Sequence, residues 1–263
     1  KLDNISRLFK MKIFIPTRGR STTQTTFKFF PKKLQEKTTL VVDHDERDLY
    51  SIYPSVWVMP DYLESGISPK RKYIIEHSTD SKIVMLDDDI RFYIRKGYDD
   101  WHLRYLEPEE VPQMFGLLEE WLDDYAHCGV SAREGNNRVK ELSVENTRYM
   151  RLLAYNLDML GGVELGRTRI MEDFDVALQL LRQGKPSKVS YYYAQGQRGS
   201  NTDGGCSEWR SLDIQAEGAE RLGSLHPDFV RVVEKKTKTA WGGGTRKDVI
   251  ISWKKAYGSS QSS

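Results

Sequence analysis

From Ser81 to Ile90 the chain reads Ser-Lys-Ile-Val-Met-Leu-Asp-Asp-Asp-Ile. The first half is apolar and favours extended chain, which reads as a buried strand. Three carboxylates, Asp87, Asp88 and Asp89, stand at the end of that strand. Adjacent acids repel one another, so grouping them is unfavourable unless positive charge neutralises them. A hard divalent cation that takes oxygen ligands, Mg2+ or Mn2+, does this well. Side chains alternate along a strand, which points Asp87 and Asp89 to one face and Asp88 to the other. Two carboxylates can then share one cation while the middle one holds a neighbouring donor group. The bland alternative is a solvated acidic turn after a core strand, since short acidic motifs are common by chance.

A chain of 263 residues suffices for one large domain or two small ones with a substantial core. Charged residues make up 30% and Gly and Pro are not in excess, a soluble globular composition. No apolar run is long enough to span a membrane. Residues 1–10 are polar, unlike a signal peptide, and are expected to be an extension ahead of Met11. Residues 259–263 are expected to be a disordered tail. Cys128 and Cys206 match no zinc or haem spacing, and a reducing cytoplasm is the expected compartment. The formal net charge is only +2, but the charges are segregated. Bases gather at Lys32-Lys33, Lys70-Arg71-Lys72, Lys235-Lys236, Arg246-Lys247 and Lys254-Lys255. A near-neutral total can conceal a basic face suited to a polyanion.

Met11–Pro16 is a short apolar run, the expected first strand, and Thr17-Arg18-Gly19-Arg20 follows at its carboxyl end. In open α/β sheets ligands sit at that edge. Thr38–Asp43 reads as a second strand ending in an acid, and Ser55–Pro60 as a third. Gly66–Lys72 opens a helix in which Ser68 can cap and Pro69 suits the first turn. Its basic residues oppose the helix dipole and make sense where an anion binds nearby. Pro108–Cys128 reads as an amphipathic helix, and 136–146 as a polar excursion. Arg151–Tyr155 reads as another strand. Met171-Glu172-Asp173-Phe174-Asp175 places three acids at the start of a helix that Gly184 and Pro186 stop. Lys188–Tyr193 reads as a strand, Gln195–Cys206 as a Gly-rich loop able to act as a lid, and 213–222 as a helix. Trp241–Gly244 reads as a flexible joint.

In this order, Ile15-Pro16-Thr17-Arg18, Asp43, Lys70-Arg71, Leu86-Asp87-Asp88-Asp89 and Met171-Glu172-Asp173 resemble the GT-A class of nucleotide-sugar glycosyltransferases. The implied fold is α/β, a Rossmann-like mixed sheet flanked by helices, with a C-terminal acceptor-binding extension. One domain is expected over 11–258, with a donor half at 11–100 and an acceptor half at 101–258. The resemblance implies Mn2+ or Mg2+ on Asp87 and Asp89. It also implies nucleotide-sugar contacts from Pro16, Thr17, Arg18, Asp43, Lys70, Arg71, Asp87 and Asp88. Asp173, with Glu172 second, becomes the candidate catalytic carboxylate. Many enzymes of this class supply a late histidine to the metal, and His226 is the residue placed to do so. Met171–Val176, Tyr193–Gln197, Gly199-Ser200-Asn201, Gly204–Ser207 and Trp253–Tyr257 resemble a narrower group, phage glycosyltransferases found alongside TET/JBP-type oxygenases.

The narrower resemblance implies a UDP-sugar donor, UDP-glucose first, and hydroxymethylated pyrimidine in double-stranded DNA as acceptor. A hydroxymethyl group projects into the major groove, but a deep site still needs the base extruded. That calls for cations on phosphates and an aromatic or apolar wedge. Arg167, Arg169, Arg198, Lys235, Lys236 and Arg246 are the candidate phosphate contacts. Tyr191–Tyr193, Trp209 and Trp241 are candidate stackers, although core packing is the simpler reading of each aromatic taken singly. A polysaccharide or other non-DNA acceptor is the competing reading, and a nucleotidyltransferase a third. Nothing in the sequence calls for a membrane or an obligate protein partner.

Overall fold

The computed structural model describes residues 9–197, 211–236 and 244–261. In chain order the elements are β1 (Lys12–Pro16), α1 (Thr25–Phe29), α2 (Lys32–Gln35), β2 (Thr38–Val42), β3 (Val56–Val58), α3 (Ile67–His77), β4 (Lys82–Leu86), β5 (Ile90–Arg95) and β6 (Leu103–Tyr105). There follow α4 (Val111–Trp121), β7 (His127–Ala132), β8 (Ser143–Glu145), β9 (Leu152–Asn156), α5 (Glu172–Arg182) and β10 (Ser187–Gln197). The chain closes with α6 (Leu212–Leu225), β11 (Val230–Lys236), β12 (Thr245–Ile251) and α7 (Trp253–Ser259).

The main sheet runs β3-β2-β1-β4-β9-β7-β10-β5-β6, with β8 paired to β10. β3, β2, β1 and β4 are parallel, β9 is antiparallel to both β4 and β7, and β10 is parallel to β7. The carboxyl ends of β1, β2, β4 and β7 and the amino end of β9 therefore share one edge. β1, β2 and β4 are apolar at successive positions because both faces of the sheet are covered. Ile13, Ile15, Leu40, Val42, Val84 and Leu86 pack on one side with Phe115 and Leu118 of α4. Phe14, Val41, Ile83 and Met85 pack on the other with Ile74 of α3 and Leu180 of α5.

Helix α5 is apolar on two faces. Val176, Ala177 and Leu180 meet the sheet, while Phe174, Leu178 and Leu181 meet α6, the β11–β12 hairpin and α7. This helix thus fastens the C-terminal elements to the sheet. No helix among the described residues is long and apolar enough to cross a membrane.

Several boundaries differ from the sequence expectation. The helix expected over 108–128 begins as a 3-10 turn at Pro108–Glu110, closed by a Glu107/Glu110 capping box, and ends at Trp121. The chain then re-enters the sheet, so His127 and Cys128 are strand residues. Helix α3 is preceded by Gly66 at φ 142°, not capped by Ser68, which lies within the helix. Strands β5, β6 and β8 carry no strong periodicity; β5 and β8 are defined by pairing to the distant β10, and β6 by pairing back onto β5. The expected 213–222 helix extends over Leu212–Leu225. Most of the expected lid, and Trp241–Gly243 of the joint, lie outside the described residues.

Strand β7 admits no side chain at Gly129. A Cβ there would lie 2.6 Å from Tyr149 Cδ2 and 2.8 Å from the Leu152 carbonyl oxygen. Gly129→Ala is therefore expected to destabilise the fold by about 1–3 kcal/mol through overpacking. Denaturant unfolding measures it, and an unchanged midpoint would contradict so close an approach of Tyr149 to β7.

Candidate active site

The three acids follow β4 as the alternation predicts. Asp88 turns inward with only 7% of its side chain exposed, while Asp87 and Asp89 keep 25% and 19%. Asp88 accepts from Thr17 Oγ1 and from the Arg20 guanidinium. Gln24 Nε2 donates to Thr17 Oγ1 at 2.7 Å, which aims that hydroxyl. Arg20 also reaches Asp89 at 2.9 Å, and Gln197 Nε2 donates to Asp89 Oδ1 at 2.6 Å. Burial pushes Asp88 up to about 6, against the opposing pull of Arg20 and Thr17.

Arg71 lies on α3 and is buried. Its Nη2 is 2.8 Å from Asp87 Oδ1, and its Nη1 donates to Glu172 Oε1. One guanidinium thus joins the β4 acids to the first residue of α5. Burial opposes its charge, but Glu172 and Asp87 outweigh this and hold Arg71 firmly protonated. Burial also raises Asp87, a shift that Arg71 limits and the neighbouring Asp89 adds to. Burial raises Glu172 to about 7, with Arg71 pulling the other way. Met171, just before α5, has φ 62°, and this left-handed step sets the direction of the acidic pair. Glu172 is buried, whereas Asp173 is partly open and lines a small cavity with Arg71, Tyr155 and Leu165.

A second ionic group lies beside β1 and β2. Asp43 Oδ2 receives Lys70 Nζ at 2.6 Å, Arg18 Nη1 at 2.8 Å and Ser65 Oγ at 2.8 Å. Arg18 makes a two-pronged pair with Asp45, both contacts at 3.0 Å. Pro16 ends β1 and directs the chain into this loop.

Of the expected site residues, Thr17, Asp88 and Asp89 form one cluster around Arg20; Arg71, Asp87 and Glu172 form a second; and Arg18, Asp43 and Lys70 form a third. His226 is not brought to the acids. Its ring is fully buried, with Nε2 at 2.8 Å from Asp175 Oδ1 and Nδ1 at 3.3 Å from Arg182 Nη1. Arg167 pairs with the same Asp175, with Nε at 3.0 Å, so this expected phosphate contact is committed to a carboxylate. Lys235 and Arg246 share Asp248 at 3.1 and 3.2 Å. Arg169 and Lys236 are exposed, and Arg198, Trp209 and Trp241 lie outside the described residues. The reading from sequence omitted Arg20, Gln24 and Gln197 as site residues. Arg20 had a signal: it stands two residues after Arg18 in the loop leaving β1.

Among the described residues no three His, Cys, Asp or Glu side chains form a ready metal-ligand group. The donor chemistry nevertheless fits a hard cation held by Asp87 and Asp89, with its other oxygens supplied by ligand and water. Charge balance points the same way. Six carboxylates, Asp43, Asp45, Asp87, Asp88, Asp89 and Glu172, are bonded to four cations, Arg18, Arg20, Lys70 and Arg71. Any anion entering this surplus of acid requires further positive charge.

The raised Glu172 has a measurable consequence. The folded protein holds this proton to about pH 7, whereas the unfolded chain releases it near 4.5. The stability contributed by the protonated group is complete below the lower value and is lost as pH rises through the upper one. Glu172→Gln is expected to flatten that fall by about 1–3 kcal/mol, from roughly 1.4 kcal/mol per pKa unit. Denaturant unfolding from about pH 4 to 8 tests it; parallel curves for wild type and variant would mean that Glu172 is ionised throughout.

Comparison with known proteins agrees with this geometry. The sequence profile of the family described as TET-Associated Glycosyltransferase matches residues 11–205. The "Beta-glucosyl-HMC-alpha-glucosyl-transferase" of Enterobacteria phage T2 is 25% identical over 213 residues, covering 74% of this chain and 74% of that protein. The protein of the same name from Enterobacteria phage T6 is 24% identical over 238 residues, covering 84% and 83%. Among solved structures, glucosyl-3-phosphoglycerate synthase from Mycobacterium tuberculosis, crystallised with Mn2+, UDP and phosphoglyceric acid, superposes with a TM-score of 0.51 at 12% identity. The match covers 92% of this chain and 86% of that one. A mycobacterial protein superposes with a TM-score of 0.52 at 9% identity, covering 90% and 83%. At such identities these structures share the fold alone, which is GT-A. The profile takes in the β1 loop, Asp43, Arg71, the three β4 acids and the start of α5, and the chain belongs to the TET-associated glycosyltransferase family.

Proposed function

We propose that the protein transfers a sugar from a UDP-sugar, UDP-glucose foremost, to the hydroxymethyl group of 5-hydroxymethyluracil or 5-hydroxymethylcytosine in double-stranded DNA. Mg2+ or Mn2+ is the proposed cofactor. One observation carries the reading: Arg71 joins Asp87 at the end of β4 to Glu172 at the start of α5. A strand-end acid pair and a helix-start acid pair are thereby held at one site. The phage relatives, whose name carries HMC, support a DNA acceptor.

In this scheme Arg18, Asp43 and Lys70 form the nucleoside end of the donor site. Asp87 and Asp89 hold the cation, which when bound offsets charge on the diphosphate leaving group. Asp88 fixes the loop after β1 through Thr17 and Arg20. Arg71 holds Asp87 and Glu172 in place. Asp173 is the partly open acid of the pair and faces the acceptor. If transfer inverts the anomeric centre, Asp173 takes the proton from the attacking hydroxyl. If configuration is retained, it orients the sugar or the hydroxyl.

Two results test the scheme. Asp87→Ala and Asp89→Ala are expected to abolish transfer while the fold survives, and chelator is expected to silence the wild type until Mn2+ or Mg2+ is restored. The assay is incubation of hydroxymethylated DNA with nucleotide-sugars, read by nucleoside mass spectrometry. Undiminished transfer in chelator removes the cation from the scheme, and transfer to free glycans but never to DNA removes the acceptor. Asp173→Asn is expected to lower kcat by roughly 100-fold or more, the scale of general acid–base catalysis, with little change in donor KM. A loss confined to donor KM would make Asp173 a donor contact.

A further inference from the structure

We infer that Arg148 and Arg151 form a phosphate-binding pair in a cleft beside the acids, and that this cleft receives the target nucleotide of the DNA acceptor. The inference rests on the proposed function and adds the place where the acceptor is gripped. The cleft, of about 240 Å³, lies between the carboxyl end of β7 and the amino end of β9. Ser131, Glu134, Arg148, Arg151 and Tyr191 line it.

The two arginines differ from those of the donor half. Arg18, Arg20 and Arg71 each hold carboxylates. Arg148 and Arg151 hold none among the described residues. Arg148 lies 5.3 Å from the centre of the Phe174 ring, and its Nη2 is 4.0 Å from Met150 Sδ. Arg151 Nη1 reaches the neutral Gln195 Oε1 at 3.4 Å. Both arginines line the same cleft. Two arginines against the single acid Glu134 leave the lining of this cleft positive, which suits an anion. A guanidinium fork matches the geometry of a phosphate, and the Phe174 ring holds one fork in place.

Position identifies the anion. The backbone oxygen of Arg151 accepts from Asp87 N at 2.9 Å. Arg148 lies over Phe174, the residue after Asp173. The cleft therefore adjoins the proposed cation site through Arg151 and the start of α5 through Arg148. In sheet order β9 and β7 lie beyond β4, whereas β2 with its Asp43 network lies on the opposite side. A donor extending from Asp43 to Asp87 and Asp89 leaves this cleft free for the acceptor. The phosphates that flank an extruded nucleotide are the anions such a nucleotide brings. Arg167, Lys235 and Arg246, by contrast, are paired to Asp175 or Asp248.

The test combines Arg148→Ala with Arg151→Asn, since Asn tolerates the left-handed backbone at Arg151, where φ is 65°. Anisotropy of a labelled hydroxymethylated duplex is followed over a salt series, beside steady-state transfer. The double variant is expected to raise the KM for DNA by about tenfold or more and to flatten the log–log salt slope by roughly one per arginine. Donor KM should stay within about twofold. The pair Arg148→Lys and Arg151→Lys should restore most of the slope but less of the affinity, because lysine keeps the charge and loses the fork. If the wild type glycosylates DNA and the double variant keeps its DNA KM and slope, the cleft inference is overturned while the proposed function stands. A loss on donor KM would assign these arginines to the donor diphosphate and overturn it equally. If the wild type binds DNA but transfers nothing, the proposed function fails while the slopes still decide on the cleft; without binding at low salt, both fall.

Discussion

A buried guanidinium shared between two carboxylates governs the arrangement. Arg71 connects α3, the end of β4 and the start of α5 through Asp87 and Glu172. Withdrawing three charges from water is costly, and their attraction repays it only when the geometry is good. Such a pairing adds little net stability over an apolar substitute. Its value is in what it forbids. With Arg71 in place, neither acidic segment can shift without leaving a buried charge unpaired. Lysine would not serve here, because a point charge lacks the fork that addresses two carboxylates in fixed directions.

The fold supports this bridge from both sides. Helix α5 is held against the sheet by Val176, Ala177 and Leu180, and against the C-terminal elements by Phe174, Leu178 and Leu181. A helix clamped on two faces cannot rotate to relieve a badly placed first turn. The left-handed Met171 is tolerated for that reason; the packing on either side dictates the backbone between them. The same clamp carries Asp175, which gathers Arg167 and His226 into a buried network under α6. His226 was legible in the sequence as a late histidine near the C-terminal elements. That Asp175 would claim it was not, because the acid lies 51 positions away in the chain.

The same distinction runs through the rest of the sequence. The β4 strand, its three acids and their alternation were legible because each depends on neighbours one or two residues away. So were β1, β2 and the start of α5. Strands β5, β6 and β8 were not, since short segments become strands through the partner they meet. The 108–128 segment misled for a related reason: the helical pattern runs on past Trp121, but the chain needs β7 to fill the sheet beside β9. Basic pairs have partners that the sequence does not show. Lys235-Lys236 and Arg246-Lys247 look like a cationic surface in one dimension, and in the hairpin Lys235 and Arg246 face Asp248 while Lys247 meets Glu220.

Charge is therefore distributed by pairing and not by sequence clustering. In the donor half every arginine and lysine at the site is spent on a carboxylate, and acids remain in surplus. In the cleft between β7 and β9, Arg148 and Arg151 meet a ring, a thioether and an amide and pair with no carboxylate among the described residues. A nucleotide-sugar and a DNA strand are both anions, and one open positive field would draw both to the same place. In the proposed scheme, a donor site whose described cations are all paired to acids would take a diphosphate together with a metal ion, whereas the cleft of Arg148 and Arg151 would take a phosphodiester directly. On that scheme the two anions would be sorted by whether each brings its own cation, and Asp87, bonded to the Arg71 side chain and to the Arg151 backbone, stands at the boundary between the two.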